Sequence, residues 1–216
     1  MKNHFSLRLS FFAFLLFLFQ GPMSSVLGQT DSAAEVHLNG LYWTTVNYTG
    51  VTFSNGDDIL VVNSAEEWKE ACAIGKPVCA SYEFDSSNED LFGLFYNGFA
   101  IADPRGLGTN GYCLPSREQF DDLQKFIVKG KMEVYSETAW QHVSDLYVPC
   151  GLDALPTGLL DEQGAFSEVG LNGYLWTATP YKENNNYAYT IYPSSRKYYL
   201  YHFARNMGFP VRLVKE

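Results

Sequence analysis

The chain has 216 residues, with 15 lysines and arginines against 24 aspartates and glutamates, so its formal net charge at pH 7 is −9. A protein this acidic repels phosphate backbones, which excludes nucleic acid as an expected partner. With 46% hydrophobic residues and no repeated segment, the chain suits one domain with a substantial core.

The first residues follow the layout of a secretory signal peptide. Lys2 and Arg8 precede an apolar run over residues 9–19, LSFFAFLLFLF, and a segment rich in small residues follows as far as Gly28. This order predicts a signal peptide over residues 1–28. The alternative is a membrane anchor, but the apolar run is only about half of the roughly 20 residues that span a bilayer. We therefore expect an exported protein of the periplasm, cell surface or extracellular space, with no membrane span after cleavage.

The next part of the chain predicts a lead-in, a strand and a short helix. Residues 29–37 are small and polar, which favours a flexible lead-in, and the aromatic and β-branched stretch LYWTTVNYT predicts a strand. In NSAEEWKEACAIG, Ser64 and Glu67 have the spacing of a capping box, which marks a helix start. Trp68 and Cys72 share one face of this helix, so we expect that face to be buried.

A second capping box, Ser116 with Gln119, begins a longer predicted helix. Apolar residues then recur at helical spacing: Phe120, Leu123, Phe126 and Ile127. The segment Lys129–Lys131 has the basic and glycine signals of a helix end. Five short strand-like runs follow, FSEVG, YLWTAT, YAYTIYP, KYYLYHF and FPVRLV. The pattern predicts an α+β domain in which two helices pack on a meandering antiparallel sheet of short strands.

The four cysteines are Cys72, Cys79, Cys113 and Cys150. An even number in an exported chain favours two disulfides, and sequence proximity suggests Cys72 with Cys79, leaving Cys113 with Cys150. The alternative is that these are buried free thiols, since cysteine readily serves as a small core residue. Neither the CxxC spacing nor the Cys/His spacing of a zinc site is present, so we predict no metal.

The sequence offers little support for catalysis or a cofactor. The motifs GxSxG and HExxH are missing, as is a glycine-rich phosphate loop with lysine. The acidic segment DSSNED lacks the spacing of an EF-hand and is better explained as a solvated turn. A histidine among aromatic residues, such as His202 in KYYLYHF, is more often structural than catalytic. Paired carboxylates of a glycosidase remain possible, because only the fold sets their separation.

The segment from Tyr174 to Tyr201 is unusually rich in tyrosine, and tyrosine and tryptophan rings suit stacking on sugars or on protein surfaces. We therefore place the candidate ligand-binding residues there: Trp176, Tyr181, Asn186, Tyr189, Arg196 and Tyr199. The competing interpretation is core packing, which the alternation of strand faces favours for about half of these side chains.

The stretch YNGFAIADPRGLGTNGYCLPSREQF, residues 96–120, is glycine-rich and contains an isolated charged pair. We expect a strand over Tyr96–Ile101 and then a turn in which Asp103 and Arg105 hold the loop rather than act on a substrate.

Six blocks, in order, resemble one family. They are TFSNGDDI, AEEWKEA, the stretch YNGFAIADPRGLGTNGYCLPSREQFDDL, CGLDALPTG, GYLWTATP and GFPVRLVKE. Together they resemble the Fibrobacter succinogenes major paralogous domain, found in exported proteins of Bacteroidetes and related bacteria. The resemblance implies that residues 38–216 form a single domain of this family with a C-type-lectin-like fold.

The chain departs from the family pattern at several positions. Gly98, Tyr112 and Phe120 stand where the family usually has tryptophan, and Leu213 replaces a frequent cysteine. The sugar-binding motifs EPN, QPD and WND of calcium-dependent lectins are missing, and so is the C-terminal cysteine pair of formylglycine-generating enzymes. A lectin-like fold therefore does not imply either activity.

The sequence thus predicts an exported, non-enzymatic binding or surface-interaction module whose ligand is a polysaccharide or an envelope protein. One alternative is a carbohydrate- or cysteine-active enzyme whose site is assembled only in the fold. The other is a structural subunit of a cell-envelope assembly.

Overall fold

A computed structural model describes residues 34–135, 139–140, 148–192 and 197–216. The predicted signal peptide and Arg196 lie outside these residues. The helices are α1 Ala65–Ala73, α2 Glu89–Phe92, α3 Gly98–Ile101 and α4 Arg117–Gly130, with 3₁₀ turns at Tyr82–Phe84 and Ser86–Asn88. The strands are β1 Glu35–Leu38, β2 Leu41–Thr44, β3 Leu60–Val61, β4 Val78–Ser81, β5 Leu94–Asn97, β6 Met132–Tyr135, β7 Val148–Ala154, β8 Leu159–Leu160, β9 Phe166–Ser167, β10 Gly173–Tyr181, β11 Asn185–Tyr192, β12 Lys197–Ala204, β13 Gly208–Phe209 and β14 Val214–Lys215.

The strands form four small sheets, with orders β1-β2-β14, β10-β11-β12, β3-β4-β5-β13-β8-β9 and β6-β7. The architecture is α+β, as predicted, but the prediction of an antiparallel sheet holds only in part. The pairs β3–β4 and β6–β7 are parallel. For β3 and β4 the reason is that α1 lies between them, and a helical crossover returns the chain in the same direction.

Both predicted helices form, and local hydrogen bonds explain where they begin. Ser116 accepts a bond from the amide of Gln119, whose side chain accepts one from the amide of Ser116, so α4 has a complete capping box. In α1, Ser64 accepts from the amide of Glu67, but the Glu67 carboxylate accepts from the amide of Asn63 instead. The capping box of α1 is therefore incomplete, because the Glu67 side chain bonds the amide one residue before the N-cap residue Ser64.

The apolar residues that the pattern places on the buried faces of the two helices are buried, with one exception. Trp68 and Cys72 of α1 are buried. Three of the four spaced residues of α4 are buried as well, namely Phe120, Leu123 and Ile127, whereas Phe126 is exposed. At the end of α4, Lys131 takes the left-handed conformation with φ of 52°, so the residue after Gly130 makes the cap.

The β10–β11–β12 sheet packs against other elements on both faces, and this buries part of the tyrosine-rich stretch, including Tyr174, Tyr189 and Tyr198. One face packs on α4 in a cluster that includes Phe120, Leu175 and Tyr189. The other face packs in a second cluster that includes Trp176 and Phe209. Tyrosine side chains still reach solvent at Tyr181 and Tyr187 near one end of the sheet, and at Tyr199 and Tyr201 on the edge strand β12.

Three local predictions differ from the structure. The strand expected over Tyr96–Ile101 ends at Asn97, where the Asn97 side chain accepts the amide of Ala100 and caps the one-turn helix α3. Strand β1 begins at Glu35, within the predicted lead-in, because it pairs with β2.

The third difference concerns the cysteines, which are all free thiols, so neither predicted disulfide is present. Cys72 of α1 packs with Val78 and Ala80 of β4, whereas Cys79 of β4 belongs to the cluster on the other side. Successive residues of a strand point to opposite faces, so Cys79 faces away from α1. Cys150 is buried in the α4 cluster, while Cys113 is exposed beside β14.

A buried arginine ties the C-terminal segment to the rest of the core. Arg212 has no exposed surface, and it donates to Asn47 Oδ1 at 2.7 Å, to the carbonyl of Thr44 at 3.0 Å and to the carbonyl of Asp153 at 2.9 Å. Burial lowers its pKa to about 9. None of the helices in the described ranges has the length and apolar character needed to cross a membrane.

Candidate functional site

The structure does not bring the predicted ligand-binding residues together. Trp176, Asn186 and Tyr189 have no exposed surface, whereas Tyr181 and Tyr199 are half-buried. Arg196 lies outside the described residues. The tyrosine-rich stretch therefore divides into core residues and two separate groups of accessible aromatic rings.

Trp176 and Tyr189 are core residues, which corrects their assignment as ligand contacts. Trp176 Nε1 donates to the carbonyl of Tyr96 at 2.8 Å, and its ring packs 4.5 Å from that of Phe209. Tyr189 stacks on Phe120 with ring centroids 4.8 Å apart. These side chains are covered because elements distant in the sequence pack on both faces of the sheet.

An accessible group of rings lies at the end of the same sheet, and we call it the aromatic platform. It consists of Tyr181, Tyr187 and His202. The His202 ring stacks on Tyr181 with centroids 3.9 Å apart and an interplanar angle of 15°, and Tyr187 meets Tyr181 edge-on at 5.2 Å. His202 is exposed and the two tyrosines are half-buried.

Strand register explains why the three rings meet. Tyr187 of β11 lies opposite His202 of β12, and Tyr181 of β10 lies opposite Asn185, two residues before Tyr187 on the same face. Asn185 also reaches the platform, since its Nδ2 lies 3.2 Å from His202 Nδ1.

Two cations border the platform. The guanidinium of Arg117, the first residue of α4, lies 4.7 Å from the centroid of the Tyr187 ring, and its Nη1 donates to the Tyr187 hydroxyl at 3.1 Å. The ammonium of Lys182 lies 5.1 Å from the centroid of Tyr181. The platform thus combines flat ring faces with hydrogen-bonding groups at its border, an arrangement suited to binding by stacking.

Tyr199 belongs to a different aromatic group, with Tyr192 and Tyr201. Its ring lies 5.5 Å from that of Tyr201 and 6.1 Å from that of Tyr192. Tyr199 and Tyr201 alternate with His202 and Leu200 along β12, so they lie on the opposite face from the platform.

Asp103 and Arg105, predicted to hold a turn, form part of a bonded loop unit. Asp103 Oδ1 accepts the backbone amide and Nε of Arg105, and its Oδ2 accepts Nη2 at 2.8 Å. Arg105 Nη1 also pairs with Asp57 at 3.1 Å, and its guanidinium stacks 3.9 Å from the centroid of Phe53. The bonds from Arg105 lower the pKa of Asp103. This pair thus joins the FSNGD segment to the DPRG turn.

Beside this loop lies a cleft of about 440 Å³ between the DPRG turn, β10 and the end of β12. Its polar lining consists of Asp103, Cys113, Asn186 and Arg205, and its apolar lining includes Leu107 and Ala178. Burial, and then the nearby charge of Glu216, raises the pKa of the Cys113 thiol. The thiolate needed for nucleophilic chemistry is therefore disfavoured at neutral pH.

Sequence reasoning missed the residues that complete these two sites: Arg117, Asn185, Tyr187, His202 and Arg205. The sequence pattern favours a structural role for His202 and does not distinguish Tyr187 from the neighbouring tyrosines. The sequence contains only part of the signal for the platform. Asn185 and Tyr187 are two residues apart on β11 and so share a face, but Arg117 is distant in sequence. Within the described residues, no group of three or more His, Cys, Asp and Glu side chains is placed to hold a metal ion.

Comparison with known proteins gives a match to a family model. No curated protein matches the chain, and no solved structure matches it. A family model, the Fibrobacter succinogenes major domain, matches residues 36–215, which includes every strand and helix described above except the first residue of β1. The chain therefore belongs to the Fibrobacter succinogenes major domain family.

Proposed function

We propose that this protein is an exported, non-enzymatic binding module that recognises a polysaccharide through the aromatic platform. The observation that carries the proposal is the accessible cluster of Tyr181, Tyr187 and His202 at one end of the β10–β12 sheet. Aromatic rings offer flat apolar faces that pack on the C–H faces of sugar rings. The border groups Asn185 and Arg117 supply donors for sugar hydroxyls.

Two features of the cleft favour binding over catalysis. Among the described residues that line it, the one carboxylate is that of Asp103, which Arg105 already engages, so these residues do not supply the carboxylate pair of a glycosidase. Its thiol, Cys113, has a raised pKa rather than the lowered one that activates a nucleophile.

The proposal is tested by glycan binding. Envelope polysaccharides and plant glucans are titrated into the purified protein by isothermal calorimetry, and Tyr181→Ala is compared with Tyr201→Ala. Tyr201 is a matched control, since it is an accessible tyrosine of the same sheet on the opposite face. We expect Tyr181→Ala to weaken binding by about tenfold or more, as loss of an aromatic anchor does, and Tyr201→Ala to leave it unchanged.

Equal binding by both variants, or loss only in Tyr201→Ala, places recognition elsewhere and refutes the platform. Rings bordered by arginine also suit protein interfaces. If no polysaccharide binds while cross-linking in native cells joins the platform to one envelope protein, the ligand is that protein. Recovery of the chain only within a larger native complex, with no effect of Tyr181→Ala, favours a structural subunit.

We also propose that the fold is C-type-lectin-like. Support comes from the two longer helices, α1 and α4, and from the antiparallel β10–β11–β12 meander on which α4 packs. An experimental structure superimposed on C-type-lectin-like domains tests this, and a different strand connectivity refutes it.

Export is proposed from the N-terminal pattern alone. Cell fractionation and intact-mass measurement of the native protein test it. We expect a chain that begins at Gln29 and is recovered outside the cytoplasm, whereas an uncleaved cytoplasmic chain would contradict export.

A further inference from the structure

The cleft beside the DPRG turn contains a cation without an acidic partner. Arg205 lines the cleft, and no ion pair within the described residues involves it. Asp103 also lines the cleft, but its two oxygens accept three bonds from Arg105. The acidic group of the cleft is therefore neutralised by its neighbour, and the basic group is not.

Hydrogen bonds fix the backbone and the Nε atom of Arg205. Its backbone amide donates to the carbonyl of Asn184 at 3.0 Å, and its carbonyl accepts the amide of Gly98 at 2.8 Å. A Cβ on residue 98 would lie 2.6 Å from Arg205 Cα, so glycine there permits this close approach. Arg205 Nε donates to Asn186 Oδ1 at 2.9 Å.

The unused groups of this pair are all donors. Asn186 is fully buried, and its Nδ2 has no hydrogen-bond partner within the described part of the chain. Nη1 and Nη2 of Arg205 likewise make no bond to any described residue. Buried donors without partners are costly, and a guanidinium fork matches the two oxygens of a carboxylate. The cleft thus offers donors to an acceptor group and an apolar wall, including Leu107 and Ala178, to the rest of a ligand.

We propose that this cleft binds a small molecule with a carboxylate on an apolar body. The carboxylate pairs with the Arg205 guanidinium beside Asn186, and the apolar body lies against the wall formed by α3, the following loop and β10. The cleft volume of about 440 Å³ lies within the range of small-molecule sites. This site is separate from the aromatic platform, so it does not depend on the proposed polysaccharide binding.

The test uses two probes of the same shape, 4-methylpentanoate and its neutral amide 4-methylpentanamide, titrated into the mature protein by ligand-observed NMR. We expect the carboxylate to bind at least about tenfold more tightly than the amide, as a charge-assisted bond provides. Arg205→Gln should remove this preference, and Lys125→Gln, which removes a positive charge at an exposed position of α4, should preserve it.

A second variant keeps the test valid if Arg205→Gln does not fold. Ala178 is an exposed residue of the cleft lining and makes none of the Arg205 bonds, so Ala178→Phe should narrow the cleft and block both probes. Circular dichroism checks that each variant is folded. The proposal is overturned if acid and amide bind equally, if neither binds, or if a folded Arg205→Gln or Ala178→Phe protein still prefers the acid. Retained probe binding in Tyr181→Ala separates this site from the platform.

Discussion

Arg212 illustrates how one residue can hold distant segments together. Its guanidinium is fully buried and donates to oxygens of Thr44, Asn47 and Asp153. The sequence does not predict that Arg212 is buried, because the segment FPVRLV indicates only an apolar strand that contains one charge. A charged residue among apolar ones can face solvent or be buried with partners, and the choice depends on segments more than 50 residues away.

Replacement of Arg212 by methionine should strongly destabilise the fold. The change keeps an apolar side chain in place but removes the donor from two buried acceptors, in Thr44 and Asn47, and from a part-buried one, the carbonyl of Asp153. Each buried acceptor left without a donor costs about 1–3 kcal/mol. We expect the free energy of unfolding to fall by about 3 kcal/mol or more in urea titrations. Lys125→Met, at an exposed position of α4, serves as the control and should have little effect. A stability of Arg212→Met equal to that of the control would show that these bonds contribute little.

At the level of elements, α4 was predictable and the β5–α3 boundary was not. The capping box at Ser116 and the apolar spacing of α4 are local signals, so they are readable in the sequence. The local pattern predicts a strand over the whole of Tyr96–Ile101. In the structure, however, the Asn97 side chain accepts hydrogen bonds from the backbone amides of both Ala100 and Val78. That second bond comes from a neighbouring strand, so the chain turns into α3 where local pattern favours extension.

The β10–β12 sheet should respond to substitution according to which side chains are covered. Trp176→Ala removes a fully buried ring and the bond to the carbonyl of Tyr96, so we expect a loss of about 3–5 kcal/mol in the free energy of unfolding. Tyr201→Ala, at a position where 46% of the residue is exposed, should cost far less. Thermal and urea denaturation measure both variants. Similar losses would mean that Trp176 is not the core residue described here.

For the protein as a whole, thiol accessibility distinguishes free cysteines from disulfides. Three thiols are buried and Cys113 is exposed. A thiol reagent should therefore label one cysteine in the native protein and all four after denaturation without reductant. Intact mass with and without reductant should agree. Labelling of none or two in the denatured, unreduced chain would instead indicate the disulfides that the cysteine count suggests.

Alkaline pH should destabilise the whole protein. Burial raises the pKa of Tyr96 and Tyr189 well above the usual tyrosine value, and raises the pKa of Cys79 to about 12 and that of Cys150 to about 11. Groups whose pKa is higher in the folded state stabilise it fully below their unfolded pKa, and this stability is lost as the pH rises toward the folded pKa. The lowered pKa of Arg212 acts in the opposite direction, but it is one group against several.

The urea midpoint of unfolding should therefore fall between about pH 9 and pH 12, where thiols and tyrosines of the unfolded chain ionise. Tyrosinate absorbance recorded in the same titrations should rise together with unfolding. A midpoint that stays constant or rises over this range would contradict the burial of these groups.

Local pattern and composition were sufficient for the α+β class, for both longer helices and for the family, because capping boxes, residue spacing and motif order are properties of contiguous sequence. They also directed attention to the tyrosine-rich stretch. They did not show that Trp176 and Tyr189 are buried while Tyr181 is accessible. Alternation along a strand shows that it has two faces, but not which side chains other elements cover. Other elements cover part of each face of this sheet, α4 on one and segments near β5 and β13 on the other. Only packing between segments far apart in the chain left Tyr181, Tyr187 and His202 accessible at one end, and only that packing placed Arg205 beside Asn186.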